Sequence, residues 1–149
     1  MIPAMTEHDA DDSYGHIRLT TVEPDGELIT EVLPARQLPG GLIELLGSPG
    51  VVTGAAAGDV VVIQANGFHV VRRGPNDCVQ VYADPALDEH ALAWLAKAFE
   101  SVGGYVEAPP QRQFAVATVP STVESAELEA IMAAAAEQIP GLEWQLGTR

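Results

Sequence analysis

The chain has 149 residues, 47% of them hydrophobic, and carries 7 Lys and Arg against 21 Asp and Glu, for a formal net charge of -14. This length is enough for one domain with a substantial core, or for two small modules packed together. The negative charge would repel a phosphate backbone, so a nucleic acid is not an expected partner.

The single cysteine, Cys78, excludes an intrachain disulfide framework. No segment approaches the roughly 20 apolar residues of a membrane span, and the acidic start of the chain does not resemble a signal peptide. We therefore expect a cytoplasmic protein without membrane contact. Residues 1 to 12 hold four acids and no aromatic residue, which predicts a disordered acidic tail.

Residues 13 to 74 predict a small β unit of hairpins, partly barrel-like. Residues 17 to 22 and 28 to 33 alternate apolar and polar side chains, as strands do. Between them, Pro24-Asp25-Gly26 has a turn composition, since proline presets φ and glycine accepts a positive φ. The sequence thus predicts a first hairpin here.

A second hairpin is predicted around Asn66-Gly67, the strongest short-range hairpin signal in the chain. Its strands would be residues 59 to 64 and 68 to 73. Before it, the apolar run 42 to 46 predicts either a helical turn or a strand, because so short a run has no decisive periodicity.

The pattern changes near Gly74-Pro75 to strand, helix, strand, strand, helix, strand. The strands are predicted at residues 79 to 83, 105 to 108, 114 to 119 and 143 to 146.

The first helix is predicted to begin at an N-cap formed by Asp84 or Asp88 and to end at Gly103-Gly104. The second is predicted to open with a capping box at Ser121-Thr122-Val123-Glu124 and to end before Pro140-Gly141.

This order predicts an α+β protein whose residues 75 to 149 form a ferredoxin-like βαββαβ unit, with both helices on one face of an antiparallel sheet. The helical stripes would then face the sheet, so Phe99 and Met132 should be buried. We expect the two units to pack as one compact body.

Charge is unevenly distributed along the chain. Residues 1 to 34, 35 to 74 and 75 to 149 have net charges of -7, +1 and -8. The neutral, glycine-rich middle predicts a buried or ligand-facing centre, and buried strands alone would produce the same pattern.

Six segments stand in a characteristic order along the chain; they are Ser48-Pro49-Gly50-Val51-Val52-Thr53-Gly54, Gly58-Asp59-Val60-Val61, Phe68-His69-Val70-Val71-Arg72-Arg73-Gly74, Val79-Gln80-Val81, Gly103-Gly104-Tyr105-Val106-Glu107 and Ala117-Thr118-Val119-Pro120. Their order and spacing resemble a bacterial family, domain of unknown function 4265. The resemblance covers residues 28 to 148 and implies no activity, because it brings no established chemistry with it.

Motifs that carry chemistry are missing from the sequence. The four histidines have no zinc-site spacing, no Gly-Lys-Ser/Thr of a P-loop is present, and no serine lies in a Gly-x-Ser-x-Gly elbow. Gly50, Gly54 and Gly58 recur every four residues, which would either expose backbone amides to an anion or allow close packing. We predict no catalytic residue, metal or cofactor.

Asp59, His69, Arg72, Arg73 and Glu107 form the best candidate ligand site. In the second hairpin His69 and Arg73 would share one face and Arg72 the other, so one arginine would point inward. An inward arginine would bind a carboxylate or phosphate, with His69 carrying a proton, or would be neutralised by Asp59 or Glu107 as a structural pair. Enzymatic activity is left open only for this group.

Trp94 on the first helix and Trp144 on the last strand are candidate interface anchors, although packing at the edge of the core is the commoner role of such residues. The charge and the lack of catalytic motifs favour a non-enzymatic binding protein whose acidic surface holds a basic protein partner, as an immunity or antitoxin-like factor does. The alternative is a small-molecule-sensing regulatory module with its ligand near the junction of the two units.

Overall fold

A computed structural model describes residues 13–148 and shows an α+β chain with two helices and two antiparallel sheets. The predicted tail at residues 1–12 lies outside the described residues. The strands are Tyr14–Val22 (β1), Leu28–Gln37 (β2), Ile43–Leu45 (β3), Val60–Gln64 (β4), Gly67–Arg72 (β5), Asn76–Tyr82 (β6), Tyr105–Glu107 (β7), Phe114–Pro120 (β8) and Glu143–Leu146 (β9), and the helices are Glu89–Glu100 (α1) and Ser125–Gln138 (α2).

The first sheet has five strands in the order β1-β2-β3-β4-β5. The sheet curls so that its two edge strands, β1 and β5, lie next to each other. A Cβ atom added to Gly67 on β5 would lie only 3.8 Å from the carbonyl oxygen of Thr20 on β1. In the first hairpin, where apolar and polar residues were predicted to alternate, every second side chain faces the interior of the curled sheet. The enclosed core consists of Ile17, Leu19, Leu33, Ala35, Ile43, Leu45, Val52, Ala55 and Val61.

Both predicted hairpins are present. Gly26 has φ +88° in the β1–β2 turn, as its position required. In the β4–β5 hairpin Gln64 pairs with Gly67, so the turn residues are Ala65 and Asn66, one position before the predicted pair. The ambiguous apolar run before them forms strand β3.

The second sheet has the strand order β7-β8-β6-β9, and both helices pack on one of its faces. Phe99 and Met132 are each 0% exposed, which confirms that the helical stripes face the sheet. The predicted division near residue 75 falls in the short link between β5 and β6.

Asp88 is the N-cap of α1, since its Oδ1 atom accepts a 2.7 Å hydrogen bond from the backbone N–H of Ala91. Gly103 follows the helix with φ +86°. The capping box predicted for α2 was wrong. Residues 121–123 form a turn, the helix begins at Ser125, and the N-cap Glu124 makes no side-chain capping hydrogen bond. Neither helix in residues 13–148 is long and apolar enough to cross a membrane.

Candidate functional site

The segment joining β3 to β4, residues 46–59, lies between the two sheets and is called here the β3–β4 loop. It has no regular secondary structure, yet most of it is buried. Its backbone polar groups must therefore find partners inside the protein. Side chains from both sheets supply them.

The second sheet contacts the loop through the face opposite its helices. Gln80 on β6 is 0% exposed, and its Nε2 atom donates to the carbonyl oxygens of Pro49 at 3.0 Å and Val52 at 2.8 Å. The Ser48 and Thr118 hydroxyls lie 2.6 Å apart, and the backbone N–H of Ala57 donates to Ser48 Oγ at 2.9 Å. These bonds tie the loop to the middle of the second sheet.

Two further side chains donate hydrogen bonds to the oxygen atom of the Gln80 amide. The Tyr82 hydroxyl and Gln145 Nε2 donate to Gln80 Oε1 at 3.0 and 2.7 Å. Burial raises the pKa of Tyr82, and the hydrogen bond from Gln145 opposes that shift. The phenol therefore stays protonated as a donor within this network.

The first sheet contacts the loop through Glu31. The Glu31 carboxylate accepts hydrogen bonds from the backbone N–H groups of Gly50 at 2.7 Å, Val51 at 3.0 Å and Val52 at 3.2 Å. Successive amides that converge on one carboxylate form an anion-binding concavity. The glycine segment therefore does present amides to an anion, and that anion is the protein's own Glu31.

Asp59 ends the loop and is 0% exposed. Its carboxylate accepts from Arg73 Nη1 at 2.8 Å, from the backbone N–H of Gly74 at 2.7 Å and from that of Ala56 at 3.0 Å. Buried charges persist when they are paired and hydrogen-bonded. The Asp59–Arg73 pair therefore joins the loop to the link between the two sheets.

Two glycines of the loop allow close approach. A Cβ atom on Gly50 would collide with the ring of Phe114 on β8, and a Cβ atom on Gly74 would collide with the backbone of Gly58. Gly58 also has φ +94°, which favours glycine. The regular spacing of glycines therefore serves both of the uses considered from the sequence.

Cys78 lies beneath the loop, 0% exposed, with its thiol 3.5 Å from the carbonyl oxygen of Ala55. Burial, together with the negative charge of Asp77, raises the pKa of the thiol to about 12. A thiol in this state is not a nucleophile at neutral pH.

An open cleft of about 260 Å³, called here the junction cleft, lies where the first sheet, the loop and the β7–β8 connection meet. Its walls include Glu31 and Glu107 and no basic side chain. The remaining lining residues are Val32, Leu33, Pro34, Gly47, Ser48, Ala108, Pro109, Phe114 and Val116. This is a largely apolar surface with two carboxylates.

The five residues of the predicted ligand site do not meet at one place. Asp59 and Arg73 form an ion pair, and Glu107 lies at the junction cleft. His69 is exposed and lines a separate hollow between the edges of β1 and β5. Arg72 is exposed at the end of β5. A bulge between Val60 and Val61 shifts the register, so the regular alternation assumed for this hairpin is interrupted.

Trp94 and Trp144 are both half-buried and pack against the core between the helices and the second sheet. The sequence does not predict that Glu31, Gln80 and Ser48 hold the loop. The signal available for Glu31 was its place on the inward face of β2, in alternation with Leu33 and Ala35.

Within residues 13–148 no three metal-binding side chains cluster.

Comparison with known proteins gives a family and a fold. The chain is similar to a hypothetical protein from Neisseria gonorrhoeae whose crystal structure is known, with a TM-score of 0.69 and 15% sequence identity over 90% of this chain and 94% of that chain. The sequence matches none of the curated proteins. A profile of the family described as Domain of unknown function (DUF4265) matches residues 31–141. That match covers more than half of the chain, so the protein belongs to the DUF4265 family.

Proposed function

We propose that the protein is a non-enzymatic binding protein whose acidic surface holds a basic protein partner, as an immunity or antitoxin-like factor does. One observation carries the proposal. Residues 113–142 expose four carboxylates and contain no lysine or arginine; the four are Glu124, Glu127, Glu129 and Glu137. A surface with such an excess of carboxylates attracts basic partners and repels acidic ones.

Ion pairs within the protein occupy basic side chains and so increase the excess of free negative charge at the surface. Arg36 pairs with Glu44 at 2.8 Å, and Arg112 lies 3.4 Å from Glu89. Arg73 is taken up by buried Asp59. Half of the six basic side chains in the described part of the chain are thus already opposed by internal carboxylates, which leaves most of the exposed acids uncompensated.

The experiment is capture with the full chain, followed by binding kinetics on the purified partner. Because long-range attraction acts on encounter, the association rate should fall as salt is raised. Neutralising three acids of α2 with Glu127→Gln, Glu129→Gln and Glu137→Gln should slow association and leave the dissociation rate unchanged. A partner that is acidic, or binding that is indifferent to salt, would refute the proposal.

We also propose finer architectures for the two units. The order β7-β8-β6-β9 with both helices on one face supports a ferredoxin-like unit at residues 75–149, and the adjoining edges of β1 and β5 support a barrel-like unit at residues 13–74. We also propose a cytoplasmic location, since a chain with a single cysteine does not need an oxidising compartment to form an internal disulfide.

A second candidate function is a small-molecule-sensing regulatory module. The junction cleft favours it, because a concave, mostly apolar surface with a few polar groups is the usual form of a ligand site. Thermal-shift screening of the full chain against metabolites tests this candidate. A ligand that binds the folded state must raise the Tm, so a broad screen without any stabilising compound rejects it.

A further inference from the structure

The junction cleft also has the chemistry of a receptor for one amino-acid side chain. We propose that it binds an arginine side chain of the basic partner. The inference rests on the proposed function and deepens it, because it locates the contact and names the group that makes it. The shape, the charge and the surroundings of the cleft all suit such a side chain.

The shape suits a side chain with an apolar stem. The cleft is open to solvent and measures about 260 Å³. Phe114, Val116 and Pro109 contribute apolar surface to its walls. An arginine buries its methylene stem against such surface while its charged end reaches a polar partner. A chain segment of a partner can enter because the cleft is not enclosed.

The charge suits a cation. Glu31 and Glu107 are the charged residues of the cleft walls. The Glu31 carboxylate is fixed in place by three backbone amides, so little side-chain freedom remains to be lost on binding. Glu107 is exposed and takes part in no ion pair within residues 13–148. It is available to a cationic partner.

The aromatic wall favours arginine over lysine. The ring of Phe114 is held against Gly50, where even a methyl group would collide with it. A guanidinium can stack on an aromatic face and pair with a carboxylate in the same plane, whereas an ammonium is a compact, strongly hydrated point charge. A fixed ring beside two carboxylates therefore matches the guanidinium.

Two other hollows on the protein fit an arginine side chain less well. The hollow on α1 contains Lys97, which repels a cation. A hollow beside Tyr82 has two acids, Asp84 and Glu143, but no aliphatic side chain larger than that of Ala83 to receive the methylene stem. Glu143 therefore provides a matched control, because Glu143→Gln removes the same charge from the competing acidic hollow.

The test is a titration of the full chain, followed by amide NMR, with a Gly-Ser peptide that carries one central arginine. The same peptide with citrulline keeps the shape and removes the charge. We expect saturable shifts at Val32, Glu107 and Phe114 with the arginine peptide and none with citrulline. Glu107→Gln should weaken the affinity about two- to fivefold, the range for a single exposed ion pair, while Glu143→Gln should not.

The neighbouring strand supplies a second variant. Arg18 pairs in register with Val32, one wall of the cleft, and its positive charge opposes an incoming cation. Arg18→Gln should therefore raise the affinity for the arginine peptide. Equal effects of Glu107→Gln and Glu143→Gln would overturn the inference.

The outcomes separate this inference from the proposed function. If the arginine peptide changes only the amide chemical shifts of α2, the cleft assignment is wrong and the acidic-surface proposal still stands. Saturation of the cleft by spermidine but not by the arginine peptide would also overturn it, in favour of a free amine. A basic partner that binds with salt dependence but ignores Glu107→Gln refutes the cleft alone. The absence of salt-dependent binding to any basic partner refutes both proposals.

Discussion

The Oε2 atom of Glu31 accepts a 2.7 Å hydrogen bond from the backbone N–H of Gly50. This contact connects strand β2 to the β3–β4 loop across 19 residues of sequence. The second carboxylate oxygen takes the next two amides, so one side chain organises three backbone groups that water does not reach easily. The loop, in turn, separates the two sheets.

Glu31→Ala should destabilise the protein by about 2–4 kcal/mol, because it leaves partly buried amides without their acceptor. Chemical denaturation measures the change in the free energy of unfolding. Glu27→Ala, in the exposed β1–β2 turn, is the control and should stay within about 0.5 kcal/mol. A loss for Glu31→Ala no larger than that of the control would show that the three hydrogen bonds contribute little.

Gly74→Ala should destabilise the protein by about 2–3 kcal/mol or more, because the new methyl group would collide with the backbone of Gly58, which cannot move aside as a side chain can. Gly67→Ala is the matched control, since its methyl group would meet an ordinary contact at 3.8 Å and its φ is not positive. Thermal unfolding compares the two. Equal Tm values would contradict the close crossing of Gly58 and Gly74.

Asp59→Asn should cost more stability than Arg73→Gln. The Asp59 carboxylate also accepts two backbone amides, while the Arg73 side chain is half exposed and screened by solvent. A double-mutant cycle should give a coupling of about 1 kcal/mol. A coupling near zero would mean that the ion pair does not stabilise the junction.

Alkaline pH should unfold the protein partly through Cys78. Its pKa is about 12 in the folded state against 9.0 for an unperturbed thiol. The unfolded state loses the proton first, so the stabilisation is complete below pH 9 and is lost as the pH rises toward 12. The loss approaches about 1.4 kcal/mol per pH unit.

Cys78→Ala removes this titration, so denaturation at several pH values should show a shallower decline above pH 9 than in the wild type. In the native protein the thiol should also resist iodoacetamide at pH 8 and react only after addition of urea. Rapid alkylation without denaturant would contradict the burial of Cys78.

Local signals were enough for most of the elements. Pro24 and Gly26 marked the first turn, Asp88 was one of two candidate N-caps of α1, and the helical stripe predicted that Phe99 would be buried. These features depend on neighbours within a few residues, which a sequence displays directly. The capping box failed because Glu124 begins α2 without a side-chain cap.

The loop network could not be predicted for the opposite reason. Ser48 meets Thr118 across 70 residues, and Gln80 meets Pro49 across 31. The neutral, glycine-rich composition of residues 35 to 74 indicated a buried or ligand-facing centre, but a segment without periodicity does not show which side chains hold it. A glutamate on a strand such as Glu31 usually points to solvent. The candidate ligand site is dispersed because Glu107 lies on β7 of the other sheet, a placement that sequence spacing does not reveal. The register shift between Val60 and Val61 also interrupts the regular pairing of β4 and β5 that was assumed.

Gly147 makes two backbone hydrogen bonds, one accepted from the N–H of Gly54 in the loop and one donated to the carbonyl of Cys78. Because a ribosome releases the chain in order, Gly147 emerges after all nine strands. Until then the loop lacks the hydrogen bond between Gly54 and Gly147. Gln80 also waits for Gln145 on β9. During synthesis the loop can therefore gain its complete set of hydrogen bonds only after the residues of β9 have emerged, so the ordering of this segment is the final step in joining the two sheets.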